Sequence, residues 1–343
     1  MIMKKSMFDK FKILIAAAMA SSSLLGATTA SAADSLPQLI QNLEAGEMQT
    51  VVTYGTSLTK VGTWPDQLRE VLEQKYPGQV DLINSGKGGS TSVWGGDNFD
   101  NKVISKKPDA MFIEFAINDS VGQRMTVAKS RGNLEGMIDR LLAVQPKCEI
   151  ILMTMNPAVD IHGLRRPNVA AYYQMYRDVA KDRDFLLIDH YPNWKKVLDE
   201  DPARFLRYSP DGIHPVREGT LEVVMPEIQA ALGLQECKPE VNRSVKCWEY
   251  MFKAMDNMIE KDKKVTLKEY QKFWKSQFGK CDQNKDRSLQ PDEYVSKPMF
   301  QYFDANKDSV ISLEEYQAVY APYFKRGDLD GDNVWVFADL ENL

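Results

Sequence analysis

An alternation that begins at Thr50 constrains this chain most. Short apolar, β-rich runs at Val51 to Tyr54, Val80 to Ile83, Ala110 to Phe115, Glu149 to Thr154 and Phe185 to Ile188 are separated by segments whose apolar residues recur at helical spacing. Trp64, Leu68, Val71 and Leu72 follow a Thr63 cap and Pro65; Leu134, Ile138, Leu141 and Leu142 repeat the pattern, and Tyr172, Tyr176, Val179 and Ala180 form a third apolar face. Strand and helix in strict succession are the pattern of a parallel sheet covered on both faces. The expected fold is α/β, a flavodoxin-like three-layer α/β/α sandwich. In such sheets ligands bind outside the carboxyl ends of the strands, near the point where the winding reverses. Residues just after the strands are therefore where the chemistry should lie.

Three short islands occupy those positions, and a fourth comes late. Gly55-Thr56-Ser57-Leu58 follows the first strand, Asn84 to Thr91 the second and Ala116-Ile117-Asn118-Asp119 the third, while Asp211-Gly212-Ile213-His214 lies beyond the last. Ser57 is the candidate nucleophile, and a serine hydroxyl needs a base to take its proton. The only histidines are His162, His190 and His214. His214 is the preferred base because Asp211, three residues earlier, can orient its ring. His190 ends a strand and His162 lies in a polar loop, so each is assigned a structural or solvated role. An acyl-transfer intermediate also needs donors for its oxyanion. The backbone N–H of Ser57, the backbone N–H of Gly89 and the Asn118 side-chain amide supply them. The glycines of Gly86-Lys87-Gly88-Gly89 match neither the Walker pattern nor the dinucleotide fingerprint.

These residues resemble the SGNH hydrolases, also called GDSL esterases and lipases, over the stretch from Thr50 to Leu232. The resemblance implies Ser57, Asp211 and His214 as the triad, with Gly89 and Asn118 as oxyanion donors. Two positions depart from the family blocks: Thr56 stands where Asp is usual, and Ala116 where Gly is usual. Neither departure removes a reacting group. Exported members of the family resemble carbohydrate deacetylases, and others cleave lipid or aryl esters. Trp94, Asp97, Asn98 and Asn101 after the glycine turn, with Arg165, Arg166 and Asn168 in another loop, make polar crevice walls that favour a carbohydrate ester. Trp94 can stack on a sugar ring or simply pack. The alternatives are a lipid or aryl ester hydrolase, or a non-catalytic glycan-binding protein docked through its C-terminal repeats.

Beyond Leu234 the chain changes to acidic loops between aromatic-rich helical segments. Asp282, Asn284, Asp286, Ser288 and Glu293 occupy positions 1, 3, 5, 7 and 12 of a loop. Asp304, Asn306, Asp308, Val310 and Glu315 repeat that spacing, and Asp328, Asp330, Asp332, Val334 and Asp339 repeat it again. The apolar eighth positions, Leu289, Ile311 and Trp335, are expected to form strand contacts between paired loops. These loops resemble EF-hands, which implies Ca²⁺ held by the odd-numbered oxygens, the position-7 carbonyl and the position-12 carboxylate. A degenerate copy from Met258 to Glu269 lacks an oxygen at position 1. Position 6, normally Gly, is Arg287, Ser309 or Asn333, which should weaken binding. The close spacing is also similar to dockerin modules, which attach enzymes to a scaffold. Ca²⁺ is expected in these loops and no cofactor in catalysis, with a scaffold or surface as a docking partner of the C-terminal part.

The first 32 residues read as an export signal: Lys4, Lys5, Lys10 and Lys12 precede the apolar run Ile13 to Ala20, and Ala30-Ser31-Ala32 is a small-residue cleavage site. The expected organisation is a signal peptide over 1–32, a hydrolase domain over 33–235 and a small all-α, EF-hand-like calcium-binding domain over 236–343, in a secreted or periplasmic protein. No later stretch is long and apolar enough to span a bilayer. With 43 Lys and Arg against 48 Asp and Glu, the chain lacks the basic excess that nucleic acid requires. Four cysteines admit disulfides, Cys237 with Cys247 being the most local pairing; Cys148, inside an apolar run, reads as a buried thiol.

Overall fold

The computed structural model describes residues 36–122, 125–239 and 246–342, so the export signal expected over 1–32 lies outside the described residues. Five parallel strands form one sheet: β1 (Gln49–Gly55), β2 (Val80–Asn84), β3 (Ala110–Glu114), β4 (Glu149–Thr154) and β5 (Leu186–Asp189), in the order β2-β1-β3-β4-β5. Each expected strand is present, with bounds that agree to within two residues. Val51, Val52, Met111, Phe112, Ile113, Ile151 and Leu152 are fully buried, as continuous apolar runs must be when both faces of a sheet are covered.

Helices α1 (Trp64–Lys75), α2 (Ser92–Lys102), α3 (Val127–Val144) and α4 (Val169–Arg183) connect the strands, and α5 (Met225–Leu232) follows β5. The chain runs from β1 outward to β2, then crosses back to β3 and continues to β5. Right-handed crossovers therefore place α1 on one face and α2, α3 and α4 on the other. The packing agrees: α2 meets α3, α3 meets α4, and α5 packs with α1. The winding reverses between β1 and β3, so the loops that carry Ser57 and Asn118 flank the reversal.

The C-terminal segment packs against this layer structure within one compact unit, residues 36–343. It contains α6 (Lys246–Asp256), α7 (Leu267–Cys281), α8 (Leu313–Gly327) and two short antiparallel pairs, β6 (Lys264–Thr266) with β9 (Val334–Val336) and β7 (Ser288–Leu289) with β8 (Ile311–Ser312). Leu289 faces Ile311, and Trp335 faces Val265 of the degenerate copy. Each Glu at position 12 doubles as the third residue of the following helix in a capping box, Thr266 with Glu269, Gln290 with Glu293 and Ser312 with Glu315. Aromatic rings fill the space between α7 and α8, with Trp274 stacked on Tyr320 at 3.4 Å and Phe324 on Trp335 at 5.1 Å.

The expected Cys237–Cys247 disulfide does not form: no disulfide joins the four cysteines. The Cys247 thiol instead lies 2.9 Å from the Pro215 carbonyl oxygen. Cys148 is buried at the start of β4.

Candidate active site

The loop after β1 is set by a carboxyl beneath it. The Thr56 N–H donates to Glu114 Oε1 at 2.6 Å, the Thr56 hydroxyl to the same oxygen at 3.0 Å, and the Thr59 hydroxyl at 2.7 Å. A Cβ on Gly55 would lie 2.2 Å from that oxygen, which is why only glycine fits. Thr56 also caps the short helix Ser57–Lys60 by accepting from the Leu58 N–H. Glu114 is wholly buried, and burial pushes its carboxyl up to about 7 against the opposing pull of the Thr59 and Thr56 hydrogen bonds. The residue that departs from the family block thus braces the serine.

His214 Nε2 lies 2.9 Å from Ser57 Oγ, and His214 Nδ1 lies 2.6 Å from Asp211 Oδ2. Asp211 Oδ1 accepts from the His214 N–H at 2.8 Å and the Ile213 N–H at 3.1 Å, so one carboxylate fixes both ring and backbone. Gly212 makes this turn possible: its φ is +81°, and a Cβ there would meet the Val159 side chain at 2.9 Å. Burial opposes the Asp211 charge, but His214 and the hydrogen bonds outweigh it and hold the carboxyl well below the usual range.

On the opposite side, Gly89 adopts φ +72°, and its N–H makes no hydrogen bond among the described residues. The Asn118 amide donates to the Ser90 carbonyl at 2.9 Å. Its oxygen accepts from Arg166 Nη2 at 2.9 Å, while Arg166 Nε reaches the Ile117 carbonyl at 2.8 Å. These two contacts fix which end of the amide is the donor and leave one of its two N–H groups without a partner among the hydrogen bonds of Asn118. Asp119, beside it, accepts from the Ser92 N–H at 2.8 Å and the Ser130 hydroxyl at 2.5 Å, locking the turn to α2 and α3. The contacts close into a ring. Ser57 meets His214, whose imidazole abuts His162; Arg166 joins the His162 carbonyl to Asn118, and Ser90 links Asn118 back to Gly55.

His162 is not in an open loop. It sits on the short helix Asp160–Leu164 with its ring edge-on to His214, centroids 6.4 Å apart, and burial lowers its pKa to about 4. It is therefore a neutral wall of the site. His190 is fully buried at the N-terminus of the helix Tyr191–Glu200, and burial lowers its pKa to about 3. Trp94 packs on Tyr54, centroids 6.0 Å apart.

Sequence reasoning missed what the C-terminal segment adds. Tyr250 of α6 lies against the His214 ring, centroids 5.2 Å apart. Asp160, buried with a left-handed φ of +50°, accepts from the Tyr320 hydroxyl at 2.5 Å and the Tyr316 hydroxyl at 3.1 Å, which ties α8 to the loop beside the triad. Between the two parts lies a cavity of about 180 Å³, lined among others by His162, Arg165, Asp211, Tyr250, Gln277 and Lys280. No signal in the sequence joins these residues, because they meet only when α6 to α8 dock.

A serine, an imidazole and a carboxylate in hydrogen-bonded series at the carboxyl ends of a parallel sheet define a serine hydrolase of acyl esters. Residues 52–220 match the GDSL-like Lipase/Acylhydrolase family, and the protein is an ester hydrolase. The uncharacterized lipoprotein YqeF of Bacillus subtilis is 28% identical over 189 residues, 46% of this chain and 75% of the relative. Among solved structures, a catalytic mutant of the acetylxylan esterase Axe2 of Geobacillus stearothermophilus is 20% identical, covering 55% of this chain and 95% of its own, with a TM-score of 0.46. The lipase/acylhydrolase of Enterococcus faecalis is 24% identical, covering 57% and 100%, with a TM-score of 0.44. Among the described residues, no helix is long and apolar enough to cross a membrane.

Proposed function

We propose that this protein is an exported serine esterase that removes acyl groups, acetyl foremost, from carbohydrates. The observation that carries the mechanism is the Ser57–His214–Asp211 series at 2.9 and 2.6 Å. Ser57 Oγ attacks the ester carbonyl carbon while His214 Nε2 takes its proton, and Asp211 stabilises the imidazolium at Nδ1. The carbonyl oxygen becomes an oxyanion received by the N–H groups of Ser57 and Gly89 and by the Asn118 amide. Collapse expels the alcohol, which leaves with the proton from His214. Water, deprotonated by the same imidazole, then attacks the acyl-enzyme and releases the acid and Ser57.

Donors beside the triad support a carbohydrate alcohol: Arg165, Gln277 and Lys280 line the neighbouring cavity together with apolar residues such as Met251 and Phe273, a mix that suits the hydroxyls and C–H faces of a sugar. Export is supported by the basic, apolar and small-residue succession of residues 1–32 and by the likeness to a lipoprotein. Stoichiometric labelling by a fluorophosphonate, lost in Ser57→Ala, together with hydrolysis of acetylated polysaccharides in preference to long-chain esters, is the expected result. A folded protein that takes no label is not a serine esterase.

The C-terminal loops fit a divalent cation. Asp282 Oδ1 and Asp328 Oδ1, at position 1 of two loops, are buried with no hydrogen-bond partner, and oxygens of Asp328, Asp330 and Asp332 gather within 4.8 Å of one another. Position 6 takes the left-handed conformation in all three, at Arg287 (φ +76°), Ser309 (φ +72°) and Asn333 (φ +63°). Bound Ca²⁺ would cross-link each loop, and the role assigned to it is structural. Asp282, Asn284, Asp286 and Glu293 would hold it in one loop, Asp304, Asn306, Asp308 and Glu315 in the next, and Asp328, Asp330, Asp332 and Asp339 in the third. A scaffold or surface partner is consistent with this segment's exposed loops.

A further inference from the structure

We infer that Tyr250, contributed by the C-terminal segment, is the platform on which the ring of the departing sugar stacks, so that α6 determines specificity on the alcohol side of the ester. The inference rests on the carbohydrate reading above and names the residue that would implement it.

The pattern of α6 isolates Tyr250. Cys247, Trp248, Met251, Phe252 and Met255 are buried and form the apolar face by which the helix docks. Tyr250 lies off that face among Glu249 and Lys253, yet it is a large ring, 53% exposed. A solvated helix position does not call for an aromatic side chain, and this one lies outside the buried face by which the helix packs.

What the ring does touch is His214, at 5.2 Å between centroids and tilted by 59°. The helix is pinned at that place by the Cys247 thiol, which lies 2.9 Å from the Pro215 carbonyl oxygen and 3.5 Å from that of Val61. These two residues belong to the loops that carry His214 and Ser57, so the position of Tyr250 is referenced to both.

The chemistry then assigns a side. The acyl oxygen goes to Gly89 and Asn118, whereas the alcohol must leave beside the imidazole that protonates it. A ring resting on that imidazole is therefore on the alcohol side. Its exposed face is flat and apolar with a polar edge, which suits the C–H face of a pyranose. Arg165, Gln277 and Lys280 around the adjoining cavity supply donors to the sugar's remaining hydroxyls.

The test compares Y250A and Y250F with wild type in the full chain, on acetylated methyl pyranosides and on an acyclic acetate such as triacetin, with thermal unfolding as a check on folding. Y250A is expected to raise KM for the pyranosides about tenfold more than for triacetin, equivalent to about 1.4 kcal/mol, while Y250F keeps the wild-type ratio. An unchanged ratio in Y250A, or an equal loss of kcat on both substrates, overturns the platform and leaves the carbohydrate reading standing. Wild-type turnover of triacetin with none of the acetylated pyranosides overturns both.

Discussion

Thr56 donates its backbone N–H and its hydroxyl to the buried carboxyl of Glu114, at 2.6 and 3.0 Å, and so holds the turn from which Ser57 emerges. The usual block residue, Asp, would place a second carboxylate against the first. Thr56→Asp should therefore cost at least about 2 kcal/mol of stability and misplace Ser57. Adding Glu114→Gln should recover much of the loss, as a thermal-unfolding cycle of the four variants would reveal.

Glu114 also makes stability depend on pH. Its folded pKa is about 7 against an ordinary 4.5, so the folded state binds the proton more tightly. The resulting stabilisation is complete below the ordinary value and is lost as pH rises through 7. Wild-type stability should fall between pH 5 and pH 8 relative to Glu114→Gln, by on the order of 3 kcal/mol at most. Equal pH dependence in the two proteins would show that Glu114 does not titrate there.

Arg166 orients the amide of Asn118 by donating to its oxygen. Asn118→Ala removes one oxyanion donor and should lower kcat by on the order of 10²-fold with little change in KM. Arg166→Lys keeps charge but loses the fork that grips Ile117 and Asn118 together, and should lower kcat by about tenfold. In an Asn118→Ala background the same change should cost far less, since the group being positioned is gone.

Asp160 anchors the C-terminal segment through Tyr316 and Tyr320. Replacing both tyrosines by Phe leaves its carboxyl buried without partners and should destabilise the protein by about 2 to 4 kcal/mol. Limited proteolysis between Leu234 and α6 should accelerate in parallel. Asp160→Asn, which needs no charge solvated, should be milder.

Calcium should raise the unfolding temperature of the full chain, by the equivalent of about 2.7 kcal/mol at a hundredfold excess over Kd, and chelation should reverse it. Asp328→Ala should remove part of that increment while leaving fluorophosphonate labelling of Ser57 intact. Absence of any calcium effect on unfolding would leave these loops as acidic turns.

Much of the site was legible because it is built from strand ends. The alternation of apolar runs dictates a parallel sheet, and a parallel sheet brings Ser57 and Asn118 to one edge whatever the loops do. Asp211 and His214 were legible for a local reason, being three residues apart in one turn. Arg166 and Glu114 were not, since an arginine in a loop and a glutamate at the end of a strand carry no periodic signal; each is defined by a partner far away in the chain. Between the structural and solvated roles left open for His162, only the fold could choose, because part of its surroundings comes from the C-terminal helices.

The sequence by itself determined the parallel α/β layer, the serine, histidine and aspartate, and the pairing of the acidic repeats, because each rests on periodicity or short spacing. Only the tertiary structure decided that Thr56 leans on Glu114, that Cys237 and Cys247 form no disulfide, and that Tyr250 and Asp160 join the C-terminal segment to the catalytic loops. Those contacts depend on how two amphipathic layers dock, and docking geometry is a property of packed surfaces that no local pattern encodes.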